Sequence, residues 1–277
     1  MKKIIAAAVA TAFVAPAFAA DVTVSGDVEF VYVNQGGVLS GVNGDRDFKI
    51  VGSEEFDGMT VTATLDVEDA DMAAGTPDSK LAISGDFGTV EFGAGAGEAS
   101  AAYEDAADVA EYGAGAELSD GFATETSIDY RGTVMEGLSV AASYGINGAE
   151  DKTSVAYGAK YSMSGFSIAY STIDVDGQDQ APNSLSATGT FGPVYVGVER
   201  ISNNGGVKDA DITSVGVTYS YGPGKVYYEA NNNSDATADV VAYGISYKMG
   251  PVNTYLGVVD TDGTEDNATA VGIEYGF

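Results

Sequence analysis

The sequence predicts an all-β fold, a transmembrane antiparallel up-and-down β-barrel of 16 strands. Three observations predict it. Apolar and polar residues alternate with period two through one run after another. The connections between runs alternate between short and long, as in outer-membrane barrels. No apolar stretch, the N-terminal run included, reaches the roughly 20 residues that a membrane helix needs.

The elements follow in chain order. Lys2 and Lys3 precede an apolar run, Ile4 to Val14, and Ala17-Phe18-Ala19 supplies a small-x-small pattern. That is the layout of a secretory signal, so residues 1–19 are expected to be removed and 20–277 to form one barrel domain. In the first expected strand, 21–33, Val22, Val24, Val28, Phe30 and Tyr32 alternate with Thr23, Ser25, Asp27 and Glu29. Strands at 45–55 and 59–68 come next, the second with Val61, Ala63, Leu65 and Val67 against Thr62, Thr64, Asp66 and Glu68. The same reading gives 78–85, 88–94, 121–131, 137–146, 152–163, 165–174, 183–191 and 193–202. It ends with 211–221, 224–232, 238–249, 251–260 and 268–277. Lengths cluster near the roughly 9–11 residues of a tilted membrane strand.

Short turns fall at Glu55-Phe56-Asp57-Gly58, Asp86-Phe87-Gly88, Met163-Ser164-Gly165, Phe191-Gly192-Pro193, Tyr221-Gly222-Pro223-Gly224 and Met249-Gly250-Pro251. Between them lie Gly-, Asp- and Asn-rich stretches, 34–44, 69–77, 174–182, 202–210 and 260–267, expected as long loops. Tyr130, Tyr144, Tyr161, Tyr219, Tyr221, Tyr247 and Tyr275 sit near strand ends like an interfacial girdle. The apolar face is therefore assigned to lipid and the polar face to a wet lumen, closed so that no strand edge is exposed.

Composition excludes several functions. There are 41 acids against 12 bases, a formal charge of −29, and loss of Lys2 and Lys3 makes it more negative. Such a chain repels nucleic acid, so no nucleic-acid partner is expected. The 17 Tyr and 11 Phe argue against the disorder that acidity alone would suggest. Cys and His are both absent, which removes disulfides, His-dependent triads and His-bound zinc. No enzyme and no cofactor are expected.

Four segments carry a resemblance. Gly52-Ser53-Glu54-Glu55-Phe56-Asp57-Gly58 resembles the first periplasmic turn of Gram-negative general porins of the trimeric, 16-stranded type. The most specific match is Leu81 to Gly93, which is similar to that family's next hairpin. Ser127-Ile128-Asp129-Tyr130 followed by Gly137-Leu138-Ser139-Val140 resembles the strand pair after the constriction loop. Tyr275-Gly276-Phe277 looks like the aromatic C-terminal assembly signature. The resemblance implies a homotrimer, an inward-folded third loop and passive diffusion. The partners it implies are outer-membrane lipid, lipopolysaccharide, small hydrophilic solutes and cations.

The longest connection, 94–120, occupies the place of the constriction loop. Its middle, 99–110, is rich in alanine, helix formers and acids, and Gly93, Gly95, Gly97, Gly113 and Gly115 flank it. If it folds inward, Glu98, Glu104, Asp105, Asp108 and Glu111 are candidates for the acidic side of the eyelet. An acidic ring within a low-dielectric wall favours cations. The family's opposing arginines are missing, with Ala94, Ala123 and Asp129 where they would be expected. Alternation puts Lys49, Lys80, Lys160 and Lys248 on the lumen face. It places Asp27, Glu29, Asp66, Glu68, Glu91, Glu125, Asp129, Glu199, Glu229 and Glu274 there too. Arg46 and Arg131 lie too near expected strand ends to assign. The lumen is expected to be acidic and cation-selective.

Asp174, Asp176 and Asp179, and likewise Asp260 and Asp262, space oxygen ligands as weak calcium loops can, without the full EF-hand pattern. Two rival functions remain. One is a substrate-specific channel, although inward aromatics are few (Tyr195, Tyr227, Tyr255); the other is a non-conducting structural or adhesive barrel.

Overall fold

The computed structural model describes residues 21–43, 46–67, 78–93, 106–113, 126–147, 151–234, 238–264 and 267–277. These form strands β1 (Asp21–Gln35), β2 (Val38–Asn43), β3 (Arg46–Phe56), β4 (Met59–Val67), β5 (Asp78–Gly85) and β6 (Gly88–Gly93). After a long connection follow β7 (Thr126–Met135), β8 (Leu138–Asn147), β9 (Lys152–Met163), β10 (Phe166–Val175), β11 (Asn183–Phe191) and β12 (Val194–Ser202). The series ends with β13 (Ile212–Tyr221), β14 (Gly224–Asn233), β15 (Val240–Met249), β16 (Val252–Thr261) and β17 (Ala268–Gly276).

All ladders are antiparallel between sequence neighbours, and β17 returns to β1, from Asp27↔Gly276 to Gln35↔Ala268. β2 and β3 both pair with β1 in succession, Val31↔Asn43 and then Val28↔Arg46, so they are two segments of one wall strand. The result is a closed barrel of 16 wall strands. Closure pairs every interior strand on both edges, which is what hydrocarbon demands of a backbone with no water to bond.

The tight turns follow from local chemistry. Gly192, Gly222 and Gly250 adopt φ of 59°, 55° and 62°, and each is followed by proline. A positive φ and then the fixed negative φ of proline make a two-residue hairpin turn that matches strand twist.

The expected strands are found, with three corrections. The stretch 34–44 is no long loop: β1 runs to Gln35, turns at Gly36-Gly37, and returns as β2 with Gln35↔Val38. Two successive glycines at φ 61° and 77° allow that primed turn. β7 continues past 131 to Met135, which places Arg131 inside the wall. β10 and β16 run one residue past their expected ends, to Val175 and Thr261, so that Asp174 and Asp260 stand within strands.

The outward face is apolar and exposed: Ile128, Tyr144, Ile168, Tyr170, Leu185, Val215, Tyr243, Leu256 and Ile273 all point away from the lumen. Tyr161, Tyr219, Tyr247 and Tyr275 each stand opposite the first residue of the preceding strand or of β16, in the register pairs with Leu138, Val194, Gly224 and Val252. They form an aromatic belt at the short-turn rim. Among the described residues no helix is long and apolar enough to cross a membrane; the crossing is made by strands.

The inward face departs from simple polarity in two places. Ile173 and Ile201, 1% and 0% exposed, cluster with Ala141, Ala156 and Val175 on the lumen side. Val31, Val33, Tyr255 and Ala270 form a second inward patch where the barrel closes.

Candidate functional site

Residues 106–113 lie inside the barrel as an irregular strap with no helix, pressed against the inner wall from β12 to β17. Its seat is built strand by strand. On β12, Tyr195 Oη donates to the carbonyl of Ala106 at 2.7 Å. Beside it stand Gly197 and Gly216, cross-strand partners whose missing side chains let the backbone of Ala106 and Ala107 lie on the wall. A Cβ at either position would overlap a strap carbonyl oxygen.

On β14, Glu229 is 1% exposed, and its Oε2 accepts from two successive strap amides, Val109 at 3.1 Å and Ala110 at 3.2 Å. Its other oxygen accepts from Asn231 Nδ2 at 3.1 Å. An irregular strap has no ladder to occupy its N–H groups, and buried amides need acceptors; one carboxylate supplies both.

Glu111 closes the seat. Its Oε1 lies 3.0 Å from Lys225 Nζ and accepts from Ser246 Oγ at 2.9 Å, while Oε2 accepts from Asn253 Nδ2 at 3.1 Å. Lys225 Nζ also donates to the Val109 carbonyl at 3.3 Å. Tyr112 then packs into the patch of Val31, Val33, Tyr255 and Ala270.

Beneath the strap, toward the short-turn rim, a vestibule of about 980 Å³ remains open. Asp27, Asp47, Lys49, Asp66, Lys248 and Glu274 line it, and Glu111 and Lys225 face it from the strap side. Lys49 Nζ and Asp66 Oδ2, cross-strand partners, are 2.9 Å apart. Asp129 lies on the wall of β7 beside its cross-strand partner Glu91, accepting from Ser127 Oγ at 2.7 Å.

Of the candidates for the acidic eyelet, Glu111 is tied to β14, β15 and β16 and Asp108 stands exposed on the strap. Glu98, Glu104 and Asp105 lie outside the described residues, as do Glu68 and Glu125. Lys49 and Lys248 reach the vestibule. Lys160 belongs to a shallower hollow at the rim with Ser162 and Thr188, and Lys80 lies within the electrostatic reach of Asp129. The three inward tyrosines are where alternation puts them, but they serve the strap and the seam. Tyr227 and Tyr255 lie flat over Gly244 and Gly272 and are 4% and 5% exposed.

Lys225 is the functional residue that sequence reasoning missed. The signal was present: with Tyr227 and Glu229 inward, the same parity puts Lys225 inward. Of the calcium candidates, Asp174 and Asp260 are exposed on strands, Asp176 accepts from Thr153 Oγ1 at 2.7 Å, and Asp179 and Asp262 are exposed. Among the described residues no group of three such ligands is close enough to hold a metal ion.

A lipid-facing barrel with a polar lumen and a strap seated on its inner wall defines a membrane channel. The sequence profile of the Gram-negative porins matches residues 6–277, and the chain belongs to that family. It is an integral outer-membrane protein and a passive channel. Solved structures agree on the fold. A double mutant of the Rhodopseudomonas blastica porin superposes with a TM-score of 0.76 at 19% identity, covering 93% of this chain and all of that one. A triple mutant of the same porin gives 0.76 at 18% identity, with the same coverage. No curated protein sequence gives a significant match.

Proposed function

We propose that this channel passes small hydrophilic solutes by diffusion and prefers cations. The observation that carries the preference is the charge of the described lumen. Asp27, Glu29, Asp47, Asp66, Glu91, Asp108, Glu111, Asp129, Glu199, Glu229 and Glu274 outnumber Lys49, Lys80, Arg131, Lys152, Lys160, Lys225 and Lys248. Two of the three vestibule lysines are engaged, Lys49 with Asp66 and Lys225 with Glu111. A cation entering the vestibule therefore meets net negative charge in walls that concentrate its field.

In this reading the strap sets the size limit and no bond is made or broken. Glu111 and Asp108 form the acidic side of the narrowing. Outer-membrane lipid and lipopolysaccharide surround the barrel, and three copies assemble, as the resemblance implies. A sugar-specific channel is disfavoured because Tyr227 and Tyr255 are covered and offer no ring to a passing solute.

Zero-current potential across a bilayer in a potassium chloride gradient tests the preference. The native protein is expected to take the sign of cation selectivity, and Asp108→Asn with Glu111→Gln to move the potential toward zero. Anion preference in the native protein overturns the reading.

A further inference from the structure

A barrel has one junction between neighbouring strands that no turn joins, and here it is β1 with β17. Its partners are separated by almost the whole chain, so it carries the largest closure entropy in the fold. The lumen side of this junction is unlike the rest of the wall. Val31 and Val33 on β1 and Ala270 on β17 are buried and apolar, and Val33 and Ala270 are direct register partners. The sequence marks the place: Phe30-Val31-Tyr32-Val33 is apolar on both faces, whereas the preceding residues alternate.

Two groups reach across the junction from inside. Tyr255 on β16 donates through Oη to Glu29 Oε1 on β1 at 2.6 Å, so its hydrogen bond spans β17. Tyr112, the last large side chain of the described strap, covers the apolar patch, with its Cβ against the glycine face of β16 at Gly257.

We propose that Tyr112 is the inner clasp of the closing seam, so that the segment narrowing the pore also holds the first strand to the last. An apolar patch facing a water-filled lumen is unfavourable until it is covered. The patch exists only when β1 and β17 are paired, so Tyr112 binds the closed barrel and not the open one. Any group that binds one state alone stabilises it, and the linkage is reciprocal: a loosened seam releases the strap, and a released strap loosens the seam.

Amide hydrogen exchange of the folded full chain in detergent micelles tests this, with single-channel noise recorded on the same samples. Tyr112→Ala is expected to speed exchange of the β17 amides, 268–276, by about tenfold or more through local opening, and to leave β10 unchanged. Open-channel noise rises in the same variant. Tyr112→Phe keeps the ring and behaves as the native protein. Val33→Ala loosens the seam as well, and adding Tyr112→Ala to it gives less than the product of the two effects. If Tyr112→Ala fails to fold, Tyr112→Ser enters the same comparison. Unchanged seam exchange, equal acceleration in every strand, or independent effects of the two substitutions would each overturn the proposal.

Discussion

Glu229→Ala is expected to unseat the strap and convert a quiet open channel into a noisy, readily closing one. Two consecutive amides, Val109 and Ala110, share the Glu229 Oε2 acceptor in a buried site. Hydrogen bonds to a charged group contribute roughly 1.5–3 kcal/mol each, and an orphaned buried donor costs about as much. Losing both costs the seated state about 3 kcal/mol, which raises the unseated population roughly a hundredfold. Glu229→Gln retains a neutral acceptor and falls between. The barrel itself persists, because the ladder pairs of β14 use backbone atoms. Single-channel traces read the result as a lower closing voltage and larger current fluctuation; traces like those of the native protein would remove Glu229 from the account.

Gly197→Leu is expected to have the largest steric effect among the described wall glycines. Even an alanine Cβ there would overlap the Ala106 carbonyl oxygen, which is backbone and has no side-chain freedom to yield. The strap must lift by more than an ångström, breaking the Tyr195 bond to Ala106 and moving into the open cross-section. Conductance is expected to fall by about half or more, since sealed interiors tolerate little added volume and the lumen is the only route for displacement. Gly52→Ala is the control, because nothing lies within 4 Å of a Cβ at that position. A native-sized conductance in Gly197→Leu would mean that the strap does not rest on β12.

The wall was legible in the sequence because a barrel strand writes its two environments into alternate residues. Val215, Val217, Tyr219 and Tyr221 against Ser214, Gly216, Thr218 and Ser220 specify β13 without help from tertiary structure. Polarity misled where it was local. Asn34, Gln35, Gly36 and Gly37 read as a loop although the glycines build a tight turn, and Asp174 and Asp260 read as junctions of strand and loop although both strands run on past them. The acids of the strap were legible as candidates, but their partners were not. Glu111 meets Lys225, Ser246 and Asn253, over 110 residues later in the chain, and no local pattern encodes such a pairing. The inward Ile173, Ile201, Val31 and Val33 break the alternation because the lumen wall is itself buried in places. Four apolar residues in a row at 30–33 were the visible trace of that.

Alternate-site cysteine reactivity tests the central assignment most directly, and the chain contains no native cysteine to interfere. Lys49→Cys, Lys248→Cys and Asn253→Cys place the thiol on the lumen face, and Tyr243→Cys, Ile245→Cys and Leu256→Cys on the outer face. In reconstituted bilayers a charged, membrane-impermeant thiol reagent is expected to modify the first three and change their conductance stepwise. The outer three should stay unmodified. Reaction at the outer positions with none at the inner ones would contradict a barrel whose apolar side faces hydrocarbon and whose polar side encloses water.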